Sequence, residues 1–164
     1  MNRFRKPVSD EPAQTINKEV KKAAYNFLAR REHSLQELRQ KLKAREFSSD
    51  DIELVLEKLV EQDIQSDLRY AQSLIRQRIV KGYGRSYINN ELKHKGLASI
   101  TIHEAMVSEP TDWFELAKMV YQKRYGETCI ADQKDKAKRV RFLQSRGFDF
   151  EQISAAMTID EVGQ

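Results

Sequence analysis

The segment Ile52-Glu53-Leu54-Val55-Leu56 returns as Ile102-His103-Glu104-Ala105-Met106 and again as Ile153-Ser154-Ala155-Ala156-Met157, at spacings of 50 and 51 residues. Each copy places apolar side chains at i, i+3 and i+4, the signature of one helical face. Upstream, Leu42, Leu92 and Leu143 keep the same register, and five residues after each stand Phe47, Leu97 and Phe148. Further upstream, Ala24-x3-Leu28-x2-Arg31 recurs as Ala71-x3-Ile75-x2-Arg78 and as Ala117-x3-Tyr121-x2-Arg124. The distance from that arginine to the next leucine grows from 11 to 14 to 19 residues. Length variation is thus confined to one place, as it is in loops between fixed elements.

Each repeat reads as three helices. The spacing of Val20, Ala24, Phe27 and Leu28 predicts a first helix over residues 17–31. Ser34-x-x-Glu37 reads as a capping box opening a second helix, on one side of which lie Leu35, Leu38 and Leu42. Ser48 can cap a third, where Ile52, Val55, Leu56 and Leu59 form the stripe of a half-buried helix. The second unit opens at Ser66 and the third at Thr111, and Asp149-x-x-Gln152 repeats the capping logic before the last helix. Gly96 and Gly147 follow the second helices, where a left-handed residue is wanted; unit one has Glu46 instead. A unit of this size has a small core and gains burial by stacking on a neighbour. The expected fold class is all-α, with three tandem three-helix repeats (17–65, 66–110 and, with a C-terminal tail, 111–164) forming an elongated, curved array. Residues 1–16, with Pro7 and Pro12, are expected to form a mobile arm.

Composition agrees with this. In 164 residues there are 6 glycines and 3 prolines, too few for a β-sandwich rich in turns, while 33% of residues are charged. No apolar run approaches the ~20 residues of a membrane span. The basic start, Met1 to Lys6, has no apolar region after it, so no signal peptide is read. Cys129 is the single cysteine and cannot form an internal disulfide, so a cytoplasmic protein is expected.

The net charge of +4 is unevenly spread. Residues 46–67 carry eight acids against Lys58, residues 76–95 six bases against Glu91, and residues 118–146 nine bases against three acids. Such blocks are ordinarily solvated helix faces, but two of one sign point toward a polyanionic or acidic partner.

Catalytic chemistry is hard to find. His33, His94 and His103 lie in different elements without metal-ligand spacing, and Cys129 has no activating neighbour in sequence. Gly82-Tyr83-Gly84 follows a helix rather than a strand and lacks the third glycine of a dinucleotide fingerprint, because position 87 is Tyr. Asp50-Asp51 sits where a helix dipole accounts for it. No metal, cofactor or enzymatic activity is therefore expected. Lys81-Gly82-Tyr83-Gly84-Arg85-Ser86 has two readings: a turn offering backbone N–H groups and Arg85 to an anion, or a helix–helix turn with Tyr83 packed on the next unit. Arg139 and Arg141 likewise read as a solvated face or as part of a polyanion track. Tyr121 takes the repeated core position, which leaves Tyr125 open.

The stretch Lys81-Gly82-Tyr83-Gly84-x3-Ile88-x2-Glu91-Leu92-x2-Lys95-Gly96, preceded by Asp67-x-Arg69-Tyr70-Ala71, resembles the central signature of the bacterial RecX regulatory proteins. The first-unit run from Leu28 to Leu42 resembles the family too, and in unit three Arg124-Tyr125-Gly126 and Arg146-Gly147-Phe148 resemble its C-terminal part; Glu46 departs from the family's usual glycine. The resemblance implies tandem three-helix repeats and a non-enzymatic modulator of the RecA recombinase. Such a modulator binds the RecA–DNA filament along its groove, limits its extension, and lowers ATP hydrolysis, strand exchange and co-protease activity. Carried onto this chain, the contact residues would be Arg76, Arg78, Lys81, Tyr83, Arg85, Lys93, Lys95, Lys123, Arg124, Lys138, Arg139 and Arg141. The expected partner is the RecA filament on DNA, with weak direct DNA binding, no membrane, and a monomeric chain. The basic blocks keep a second reading open, a helical-repeat protein that binds DNA itself and competes with RecA.

Overall fold

The computed structural model describes residues 15–158. Nine helices follow one another in that span: α1 (Lys18–Leu28), α2 (Leu35–Lys43), α3 (Ser49–Glu61), α4 (Asp67–Val80), α5 (Arg85–His94), α6 (Ser99–Ser108), α7 (Trp113–Tyr125), α8 (Gln133–Ser145) and α9 (Phe150–Met157). Among the described residues there is no strand. The arm expected over residues 1–16 falls outside the described residues as far as residue 14, and Ile16 packs against the first core. Residues 159–164 also lie outside.

Short polar side chains start most helices. Asn17, Ser34, Ser48, Ser66, Asp112, Asp132 and Asp149 each accept a hydrogen bond from a backbone N–H of the first turn. The box at Asp149 and Gln152 closes in both directions. At Ser34 only half of it forms, because the Glu37 carboxylate is taken by Arg31 and Lys95. The first helix ends at Leu28, short of the predicted residue 31. From beyond that end Arg31 reaches forward to Glu37 and to the Glu32 carbonyl.

The apolar side chains gather into three separate cores, one per helix triplet. The register read from sequence places the same positions at each centre. Ala24, Ala71 and Ala117 are wholly buried, as are Leu42, Leu92 and Leu143, and Ile52, Ile102 and Ile153 are buried beside them. Alanine at the first position lets the opening helix of each unit approach the other two closely. Ile79 and Trp113 pack against both the second and the third core, so units two and three share apolar contact.

Candidate binding surface

Consecutive units meet in one recurring way. The start of the second helix of one unit lies against the left-handed turn that follows the second helix of the next. Between units one and two, Ser34 Oγ donates to the Lys95 carbonyl at 2.9 Å and the Leu35 N–H donates to Asp67 Oδ1 at 2.8 Å. Between units two and three, the Gly84 and Ser86 N–H groups donate to the Arg146 and Gly147 carbonyls at 2.7 and 3.2 Å. Gly84 has no side chain with which to cap α5, so the turn of unit three supplies acceptors for its orphan donors.

This joint explains the glycines and the glutamate. Glu46, Gly96 and Gly147 all have positive φ, of 63°, 83° and 92°. A Cβ on Gly96 would fall 1.7 Å from Gln36 Oε1, and one on Gly147 would fall 2.4 Å from the Tyr87 backbone nitrogen. The preceding unit fills that space. Glu46 belongs to the first unit and is exposed, so a side chain is tolerated there at the modest cost of left-handed backbone.

The joint between units one and two is predominantly polar. Arg69 bonds both Glu32 and Asp63, Gln65 donates to the His33 carbonyl at 3.2 Å, and Glu37 receives Arg31 and Lys95. Burial works to raise the Glu37 pKa, but the hydrogen bonds and charges of Arg31 and Lys95 outweigh it and hold the group at about 2. Burial lowers the His33 pKa and raises that of Tyr70 to about 12. A cleft of about 210 Å³ lies here, lined by Arg31, Glu37, Tyr70, Arg78, Glu91 and Lys95 among others.

The structure sorts the predicted contact residues into three groups. Arg76 pairs with Glu109, Arg78 binds Glu91 through two hydrogen bonds of 2.6 Å, and Lys95 reaches Glu37. These cations are compensated within the fold. Lys81, Arg85, Lys93, Lys123, Lys138 and Arg141 are exposed and make no ion pair among the described residues. Arg124 is also exposed and lies over the Phe142 ring at 5.7 Å.

Arg139 is a correction. It is only 2% exposed and belongs to the third core, where it donates to Tyr121 Oη, Asp135 Oδ2 and the carbonyls of Thr128 and Cys129. It therefore ties the long α7–α8 loop to the unit and offers no surface to a partner. Tyr121 is buried, as its register indicates, and Tyr125 is half-buried against Arg139 and Phe142.

For the glycine-rich stretch the structure favours the packing reading. Tyr83 stacks on Tyr87 with ring centres 4.1 Å apart, and Arg146 of unit three covers the Tyr83 ring at 4.8 Å. The backbone donors at Gly84 and Ser86 are spent on unit three, so they are not available to an anion.

Three of the unpaired cations converge. Lys81, Lys123 and Arg124, joined by Arg146, line a groove of about 560 Å³ between the end of α4 and the helices α7 and α8. Arg146 was not among the predicted residues, although it precedes Gly147 as Lys95 precedes Gly96. Among the described residues no group of three or more His, Cys, Asp or Glu side chains is placed to hold a metal ion. Among the described residues no helix is long and apolar enough to cross a membrane.

Comparison with known proteins gives a consistent picture. Residues 21–59, 66–106 and 111–157 match the first, second and third three-helix domains of RecX. The chain is 45% identical over 141 residues to the regulatory protein RecX of Vibrio parahaemolyticus, covering 86% of this chain and 91% of that one. It is 37% identical over 139 residues to that of Pseudomonas putida, covering 85% and 89%. A crystal structure of RecX from Lactobacillus salivarius shares the fold with a TM-score of 0.73 at 22% identity, over 88% of this chain and 96% of that one.

Proposed function

The chain belongs to the RecX family of regulatory proteins, and from that premise we propose that it acts on the RecA recombinase as a non-enzymatic negative modulator. It binds the RecA–DNA filament, within the filament's groove, and restrains extension, ATP hydrolysis, strand exchange and co-protease activity. The observation that supports this reading is the match of all three three-helix units, in order, to the three RecX domains, on a scaffold whose second and third units present exposed Lys81, Arg85, Lys93, Lys123, Arg124, Lys138 and Arg141. A row of preformed units can touch several protomers of a helical polymer, so weak contacts add while little conformational entropy is lost. The cations raise the rate of encounter with a filament that contains polyphosphate, and that gain falls with added salt.

The test is single-stranded-DNA-dependent ATP hydrolysis by RecA, titrated with this protein, beside its binding to the same DNA alone. Inhibition well below one chain per RecA protomer with little binding to bare DNA supports the reading. A second reading, direct competition for DNA, is favoured by Arg85, Lys93, Lys138 and Arg141, which are exposed and lie outside the lining of the groove between α4 and the α7–α8 pair. It requires tight, steeply salt-dependent binding to bare DNA. Inhibition that appears only as this protein covers the DNA, and that fades with added salt as the bare-DNA binding does, replaces the first reading by the second; absence of inhibition refutes both.

A further inference from the structure

We infer that the groove between the end of α4 and the α7–α8 pair is the seat of an acidic, one-sidedly apolar polypeptide segment of the partner. This deepens the reading above and rests on it, the partner being the filament protein rather than its DNA.

The groove combines two chemistries. Its charged lining is cationic throughout: Lys81, Lys123, Arg124 and Arg146, with no aspartate or glutamate. Beside them Val80 is 88% exposed and Met119 53%, two apolar side chains left in water. The cleft between units one and two differs, for there Glu37 and Glu91 neutralise the arginines and lysine.

The groove is also preformed. A Cβ at Gly82 would fall 2.8 Å from Val120 Cγ2, so the turn after α4 already lies on α7. Arg146 Nη1 donates to the Lys81 carbonyl at 2.9 Å, which fixes a cation beside the groove before any partner arrives. Its guanidinium rests 5.5 Å from the Phe142 ring centre, and that of Arg124 rests at 5.7 Å.

Charge and apolarity together select the occupant. A phosphate backbone would use the cations but gain nothing from Val80 and Met119. Unpaired bases stack on open aromatic faces, whereas Phe142 is half-buried and already engaged by two guanidinium groups. A peptide segment with carboxylates flanking aliphatic side chains satisfies both, burying the apolar pair while its acids meet the rim.

Two double variants of the full chain test this, each checked for unchanged far-UV helicity and melting temperature. Val80→Asn with Met119→Gln removes apolarity without touching charge. Lys123→Glu with Arg124→Glu reverses charge. Both are assayed for inhibition of RecA ATP hydrolysis on single-stranded DNA and for binding to a fluorescent oligonucleotide alone. The expected result is a rise of about tenfold or more in the half-inhibitory concentration for each. The neutral variant keeps its oligonucleotide binding. If the wild-type chain inhibits and the neutral variant inhibits equally well, the groove is not a peptide seat, and only this inference fails. If the neutral variant is normal while charge reversal removes inhibition and oligonucleotide binding together, the groove belongs to nucleic acid. Dimerisation of the wild-type chain that the neutral variant abolishes gives the groove to a second copy and equally overturns the proposal. If the wild-type chain does not inhibit RecA at all, the functional reading fails and this inference falls with it.

Discussion

Replacing Gly147 by alanine should break the joint between units two and three while leaving each core intact. The left-handed backbone, φ 92°, charges any L-residue about 1–2 kcal/mol. The new Cβ would lie 2.4 Å from the Tyr87 backbone nitrogen, which sits in a helix and cannot give way as a flexible side chain would. Relieving that clash separates the turn from α5 and strains two hydrogen bonds, Gly84 N–H to the Arg146 carbonyl and Ser86 N–H to the Gly147 carbonyl. At about 0.5–1.5 kcal/mol each, the total becomes about 2–5 kcal/mol. Because three cores need not unfold together, the measurement is local: hydrogen exchange at the Gly84 and Ser86 amides, read beside core amides, with the fluorescence of Trp113, which touches both cores. Protection at the two amides should collapse and the Trp113 emission should shift, while amides of α2 and α3 stay unchanged. The companion variant Glu46→Ala has the same register and backbone sign without a preceding unit and should cost within about 0.5 kcal/mol. If Gly147→Ala leaves Gly84 and Ser86 protected and costs no more than backbone strain, the joint does not depend on that close approach and the account of the glycines is refuted.

Other expectations concern charge and packing. Glu37, held at about 2 against an ordinary 4.5, stabilises the fold above pH 4.5 and loses that contribution as pH falls from there toward 2. The full shift corresponds to about 3 kcal/mol, reduced to about 1–2 because Arg31 and Lys95 are substantially solvated. Glu37→Gln should therefore be less stable than wild type at pH 7 in urea titrations and equal to it near pH 2; parallel curves over that window would refute the assignment. Arg139→Lys should destabilise unit three by about 2–3 kcal/mol, since an ammonium cannot span the partners that the guanidinium fork holds. An Arg139→Lys chain as stable as wild type would refute that structural role. Leu92→Ala, at a wholly buried position, should cost about 2–5 kcal/mol and lower the thermal transition of unit two.

The helices, their grouping in threes and the core register were legible in the sequence, because these follow from local periodicity and capping. Alanine at 24, 71 and 117 and leucine at 42, 92 and 143 are buried for the same reason that they repeat. The sequence also carried a signal about Arg139 that the charge tally obscured: Arg139 stands four residues before Leu143, on the core side of α8, whereas the neighbouring Lys138 and Arg141 do not. Which cations are spent and which are free depends on contacts between residues far apart in the chain. Glu91 lies 13 residues from Arg78, Glu109 lies 33 from Arg76, and Glu37 lies 58 from Lys95, so no window of sequence shows that these pairs meet. The same holds for the groove, where Val80 and Lys81 end the first helix of unit two while Met119, Lys123 and Arg124 lie on the first helix of unit three. Periodicity is a property of one helix, but a binding surface is made where two units abut. How they abut is set by a glycine in one turn and a helix start in another, about 60 residues apart.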